Sequence, residues 1–320
     1  MQHLLGHDPP GFLRKTLRSP ISTNAHSFTR YIVHLLKNYP VNGSNAITVA
    51  KIRETVVVLV GEVHENEGLC ASPMYDVLKH IVLKAIRKVP GTFLLVEGFP
   101  CSISDDVPTL LRSIREKFYL EMLRCLRGSD AACQYGGVNR GNLAILRTLK
   151  LVVHAARLCY PGDSNVQEMD DQIHFFDIRR NLGMQSPFTP WEGLSPHEII
   201  RNSLKQIKDI RGFLNTIPHA EWQRNFHENV LVPFLQEASR ICEKPSVSRY
   251  TQFFIKISDV VAVNQILYRS AANSRDGIII LYAGDNHRLG VLTLLRRVLT
   301  VNILAESKDS RENGSCSAPI

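Results

Sequence analysis

The chain has no CxxC pair, no GxSxG elbow, no Walker phosphate loop and no GxGxxG fingerprint. It therefore lacks the local signatures of a zinc ribbon, a serine hydrolase of the α/β type, a P-loop nucleotidase and a dinucleotide-binding enzyme. Its seven cysteines (70, 101, 125, 133, 159, 242 and 316) are odd in number and scattered, which fits no compact disulfide framework. No apolar run reaches the roughly 18 residues that cross a bilayer, and no basic start leads into an apolar core. The expectation is an intracellular, cytoplasmic protein without a transmembrane segment. Acids are scarce at the start: between Met1 and Arg53 there is only Asp8, against seven Lys and Arg. That bias resembles an organelle transit peptide only faintly, because Pro9 and Pro10 and the short apolar stretches oppose it.

What is present suits a folded domain. Of 320 residues, 44% are hydrophobic and 21% charged, enough to bury a substantial core. Much of the formal charge of +8 lies between Met1 and Arg53. No aromatic and basic interleaving accompanies it, so a solvated arm is the reading and nucleic acid is not an expected partner.

The organising stretch is Val56–Glu67, VVVLVGEVHENE. An unalternated Val/Leu run ended by Gly61 predicts a strand buried on both faces, as in parallel sheets beneath helices. Such a strand delivers Glu62, His64, Glu65 and Glu67 to the carboxyl edge of the sheet, where open α/β folds bind ligands. In an extended chain positions i and i+2 point the same way, so Glu62 and His64 can address one site. The pattern returns at Gly277–Leu289, GIIILYAGDNHRL, with Gly284, Asp285 and His287. TFLLVEGFP (92–100) delivers Glu97, and HFFDIRRN (174–181) delivers Asp177, Arg179 and Arg180. If the four strands are parallel neighbours, these groups converge on one edge.

Imidazole ligates divalent metals when neutral and serves as a general base near neutral pH. His64 and His287, with Glu62 or Glu97, form a His/His/carboxylate set suited to Zn, Mn, Fe or Co, whose bound water could act as hydroxide. The bland alternative is that each histidine only bonds loop backbone. Glu97 reads as metal ligand, as base, or as a plain helix cap; Asp177 as a ligand or a support that orients a histidine; Arg179 as a clamp on a substrate oxygen or, like Arg180, an ion-pair partner; Asp177, Arg179 and Asp285 together would support the site or bind substrate. Asp285 supplies an oxygen at the second corner. Asp259, in the last long helix, reads as a solvated helix acid ahead of a group that reaches the site, and His154 as a satisfied core histidine.

VVVLVGEVHEN, LLVEG and IILYAGDNH together resemble the erythromycin esterase/ChaN-like superfamily, which includes the Tiki/TraB proteins with paired Gly-x-x-His motifs. Gly61–His64 and Gly284–His287 match that motif as they stand, and GEVHEN is similar to the GE-x-H-D-N segment of ChaN-like members, with Glu65 where Asp is usual. The resemblance implies an α/β core, a helical cap and a site at the strand ends. Carried over by position, Glu62, His64, Glu97 and His287 would be catalytic, with His64, His287 and Glu97 as metal ligands. It also implies either amide or ester hydrolysis on a small-molecule or peptide substrate, or a non-catalytic module binding haem, metal or a protein. The secreted or lipid-anchored character of Tiki and ChaN proteins does not transfer, because no such signal is visible.

The expected organisation is a poorly ordered basic arm (1–25), one α/β domain (26–305) and a disordered tail (306–320). The domain has a mostly parallel central sheet flanked by helices. Helical insertions at about 103–160 and 195–273 would cap the carboxyl edge of the strands. Ser195 and Glu198 in SPHE have the spacing of a capping box at the start of the second insertion. Pro73–Val89 reads as the helix linking the first two core strands.

Overall fold

The computed structural model describes residues 25–38, 41–42, 46–62, 81–82, 84–85, 89, 91–97, 173–179, 181–184, 193–272, 277–308 and 317–318. The helices expected over 103–127 and 142–158, most of 73–89, and His64, Glu65, Glu67, Cys70, His154 and Arg180 lie outside them. The chain forms two compact units. One comprises Met1–His174, Arg275–Asp285 and Ile303–Ile320; the other comprises Phe175–Ser274 and Asn286–Asn302.

The first unit is built on a mixed sheet. Helix α1 (Ala25–Asn38) buries Phe28, Tyr31, Ile32, Leu35 and Leu36, the stripe that its apolar spacing predicts. The strands are β1 (Val41–Asn42), β2 (Ala46–Ile52), β3 (Thr55–Glu62), β4 (Phe93–Val96), β5 (Ile173–Phe175), β6 (Ile278–Gly284), β7 (Asn302–Lys308) and β8 (Ser317–Ala318). Six of them run in the order β5-β4-β6-β3-β2-β7. β6 pairs in parallel with both β3 and β4, so the strands ending in Gly284, Glu62 and Glu97 are neighbours. β6 is buried at every position, as an apolar run without alternation requires.

The sheet departs from the expectation at its other side. Ala46–Ile52 forms β2, which pairs antiparallel, not parallel, with β3 through a two-residue turn between Ile52 and Thr55. Arg53 in that turn takes φ 52°, a left-handed conformation uncommon outside glycine. β7 runs to Lys308, three residues into the stretch expected to be an unstructured tail. There the Thr48 hydroxyl donates to Glu306 Oε1 at 3.1 Å, and Ser307 is buried. Ser317–Ala318 pairs antiparallel with Val41–Asn42. Backbone pairing overrides the polar composition of both stretches.

The second unit is helical and contains the insertion expected at 195–273. Helix α2 (Pro196–Lys205) opens with the capping box that SPHE predicts: Ser195 Oγ accepts from the Glu198 amide, and Glu198 Oε2 accepts from the Ser195 amide at 2.9 Å. A 3-10 segment, Gln206–Phe213, follows. Then come α3 (Ala220–Phe226), a π-helical turn (His227–Leu231), α4 (Val232–Glu243), α5 (Val247–Ala272) and α6 (Asp285–Val298). Phe234 and Phe253 stack at 4.7 Å in its core. The Asn225 and Asn229 amides donate to the Val298 and Arg297 carbonyls, satisfying acceptors that the last turn of α6 leaves open. The Asn264 side chain clamps Asn215 by accepting from its N–H and donating to its C=O. No described helix is long and apolar enough to cross a membrane.

Candidate functional site

In the first unit the ladder between β3 and β6 sets Gly61 opposite Ala283 and Glu62 opposite Gly284. The two Gly-acid corners therefore begin side by side, about 5 Å apart at the backbone, the spacing of adjacent strands. On the other flank of β6, Val96 stands opposite Tyr282, and the Glu97 amide continues the ladder by donating to the Tyr282 carbonyl at 3.0 Å. The Glu97 carboxylate is buried, and its Oε2 accepts the Gly284 amide at 2.8 Å. Accepting a backbone N–H fixes the orientation of the buried carboxyl group. Glu97 thus ties the end of β4 to the point where β6 turns into α6.

That turn changes the second corner. β6 ends at Gly284 and α6 starts at Asp285, so Asp285 and His287 occupy the first helical turn rather than an extended strand end. Helical positions i and i+2 do not face each other. Asp285 is half-buried whereas His287 is 4% exposed. An acid in a helix's first turn is favoured by the helix dipole, which accounts for Asp285 at that position.

His287 belongs to a buried polar ring in the second unit. Its Nδ1 lies 2.6 Å from Asp259 Oδ1 on α5. The neighbouring Ser258 hydroxyl donates to Asp177 Oδ1 at 2.9 Å. Asp177 also accepts Arg179 Nε at 2.7 Å, a second guanidinium N–H and the Arg179 amide. Phe176 sets its edge against the His287 ring, 5.9 Å between centroids, which closes the circuit. Asp177, Ser258 and Asp259 are at most 2% exposed and Arg179 is 8% exposed, so desolvation makes these pairings obligatory. The Arg179 fork is committed to Asp177, and its face packs over Phe254 at 4.7 Å. Nearby, burial pushes the Tyr250 phenol up to about 12, against the lowering influence of a hydrogen bond with Ser203 and the charge of Arg179.

Close packing sets the pair. A Cβ at Gly290 on α6 would lie 2.0 Å from Asp259 Oδ2 and 2.8 Å from its Cγ. Glycine at 290 is what lets the α5 carboxylate sit against α6 within reach of His287.

Asp259 is the residue that sequence reasoning misplaced. Expected as a solvated acid, it is 2% exposed. The signal is in the sequence: around it, Ile257, Val260, Val261, Ala262 and Val263 make that stretch of α5 apolar on all sides, and all are buried. A helix apolar on every side is a buried helix, and an acid within it needs a partner. Arg288, also buried, went unremarked for the same reason. His64 lies outside the described residues, and of Glu62 only the backbone is described.

Among the described residues no group of three His, Cys, Asp or Glu side chains is placed to hold a metal ion. No protein-family model matches this chain, and no curated protein or solved structure is similar to it at a significant level.

Proposed function

We propose that this protein is an intracellular hydrolase, cleaving an amide or ester bond with His287 as its acid–base centre. The observation that carries the reading is the 2.6 Å bond between His287 Nδ1 and Asp259 Oδ1, with both side chains buried. With Asp259 ionised, its carboxylate accepts from the Nδ1–H of His287, and the acid–base chemistry of the ring is then that of Nε2. A histidine so oriented either takes a proton from water or ligates a divalent ion that lowers the pKa of its bound water. Glu62 and Glu97 stand at the ends of strands on either side of β6, and the resemblance assigns acid or ligand roles to them and to His64. The resemblance of the paired Gly-x-x-His corners to the erythromycin esterase/ChaN-like superfamily supports the same assignment. Asp177 and Arg179 hold the polar ring together rather than meeting substrate, because each is committed to the other.

The second reading is a non-catalytic module that binds haem, metal or a protein. It is favoured by the engagement of the Glu97 carboxylate with a backbone amide. The deciding experiment uses the purified full chain, p-nitrophenyl butyrate and a fluorogenic peptide library, with metal content measured in parallel. Turnover by the wild type that falls at least a hundredfold in both His287→Ala and Asp259→Ala supports the hydrolase. If neither substitution changes turnover or metal content, the reading is lost.

A further inference from the structure

A cavity of about 530 Å³ lies in the first unit, between α1 and the sheet, away from the strand ends considered above. Its volume falls within the roughly 300–1,000 Å³ of small-molecule sites. Val33, Val56 and Leu304 give it apolar lining. Around them stand Arg30 and Lys37 from α1 and Lys51 from β2, with the imidazoles of His26 and His34 alongside. Among the described lining residues the one acid, Glu54, is tied to Lys51 at 3.1 Å in an ion pair whose side chains are 39% and 67% exposed. So open a pair exchanges partners at little cost. Arg30 and Lys37 form no ion pair with any described residue.

Apolar walls and unopposed cations on one rim suit a particular guest. We infer that this cavity binds a small amphipathic anion, an alkyl or aryl body carrying a carboxylate, phosphate or sulfonate. The apolar body covers Val33, Val56 and Leu304, and the charged head sits among Arg30, Lys37 and Lys51. A neutral molecule of the same body leaves those cations uncompensated, so the charge sets selectivity. The site is independent of the hydrolase reading, because none of its lining residues belongs to the polar ring or the strand ends.

The test uses the full chain and 8-anilinonaphthalene-1-sulfonate, whose fluorescence rises in apolar surroundings, competed by decanoate and by decanol. Saturable binding is expected, displaced by decanoate at least tenfold more effectively than by decanol. The double variant Arg30→Glu/Lys37→Glu changes only exposed side chains and should weaken binding at least tenfold with the thermal midpoint unchanged. Val33→Trp, which fills the cavity from a half-buried position, should abolish it. Binding unaffected by either variant, decanol equal to decanoate, or no saturable binding at millimolar protein would each overturn the inference.

Discussion

His287 Nδ1 and Asp259 Oδ1 stand 2.6 Å apart, 28 residues from each other along the chain, and each buries the other. Removing either partner strands the other in a dry interior. Asp259→Ala and His287→Ala should each cost about 2–4 kcal/mol. The double variant should cost less than the sum, with a coupling of about 1–3 kcal/mol. Denaturant unfolding of the four proteins measures this; additive losses would mean that the pair does not interact.

Gly290→Ala should disturb the same pair from the opposite side, since the new Cβ would meet Asp259 Oδ2 at 2.0 Å. The expected loss is about 1–3 kcal/mol, as for other overpacked interiors. In an Asp259→Ala background the clash is gone and alanine's helix propensity remains, so the substitution should become neutral or stabilising by up to about 1 kcal/mol. Thermal denaturation of the variants shows the reversal of sign, and its absence would refute the steric account.

Glu97 anchors the Gly284 amide. Glu97→Leu leaves a buried N–H without its acceptor and should cost about 1.5–3 kcal/mol. Glu97→Gln keeps an acceptor oxygen in reach and should cost less than half as much. Urea unfolding compares the two, and equal losses would show that the amide contact contributes nothing.

Tyr250 gives the fold an alkaline limit. Its folded pKa of about 12 exceeds the ordinary 10, so the folded chain holds this proton more tightly than the unfolded chain. Its contribution is complete below pH 10 and is lost as the pH rises from 10 to 12. Tyr250→Phe should lose the hydrogen bond with Ser203 at neutral pH yet decline less steeply over pH 10–12. Unfolding midpoints against pH test it, and parallel curves would contradict the assignment.

The capping box at α2 is testable in acid. Ser195→Ala should cost about 1 kcal/mol at pH 7, the usual worth of an N-cap. The hydrogen bonds that Glu198 accepts from Ser195 hold its carboxyl below 4.5. Its contribution is therefore present above pH 4.5 and is lost as the pH falls through the lower folded value. The gap between wild type and Ser195→Ala should narrow below pH 4. Helix-sensitive circular dichroism across that range follows the change, and a constant gap would show that Glu198 plays no part.

Local chemistry was legible where one stretch of chain contains the whole answer. The unbroken runs at 56–60 and 278–283 are buried strands, the SPHE spacing is a capping box, and the stripe in 25–36 is an amphipathic helix. Apolar period and hydrogen-bond spacing act over a few residues, so they can be read without knowing the fold. That β3, β4 and β6 are neighbours was only a condition in the sequence, and it is the strand ladders that meet it.

Partnership across the chain could not be read in that way. Whether Asp259 meets solvent or His287 depends on how α5 and α6 pack and on Gly290 having no side chain. Whether Asp285 and His287 share a direction depends on the chain turning helical directly after Gly284. Glu306 and Ser307 join a strand because β2 offers backbone partners that no local composition announces. The sequence alone determined which segments must be buried and which polar groups would be costly to bury. Only the tertiary structure decided which of those groups meet, because a buried charge is stabilised by whatever partner the packing brings to it.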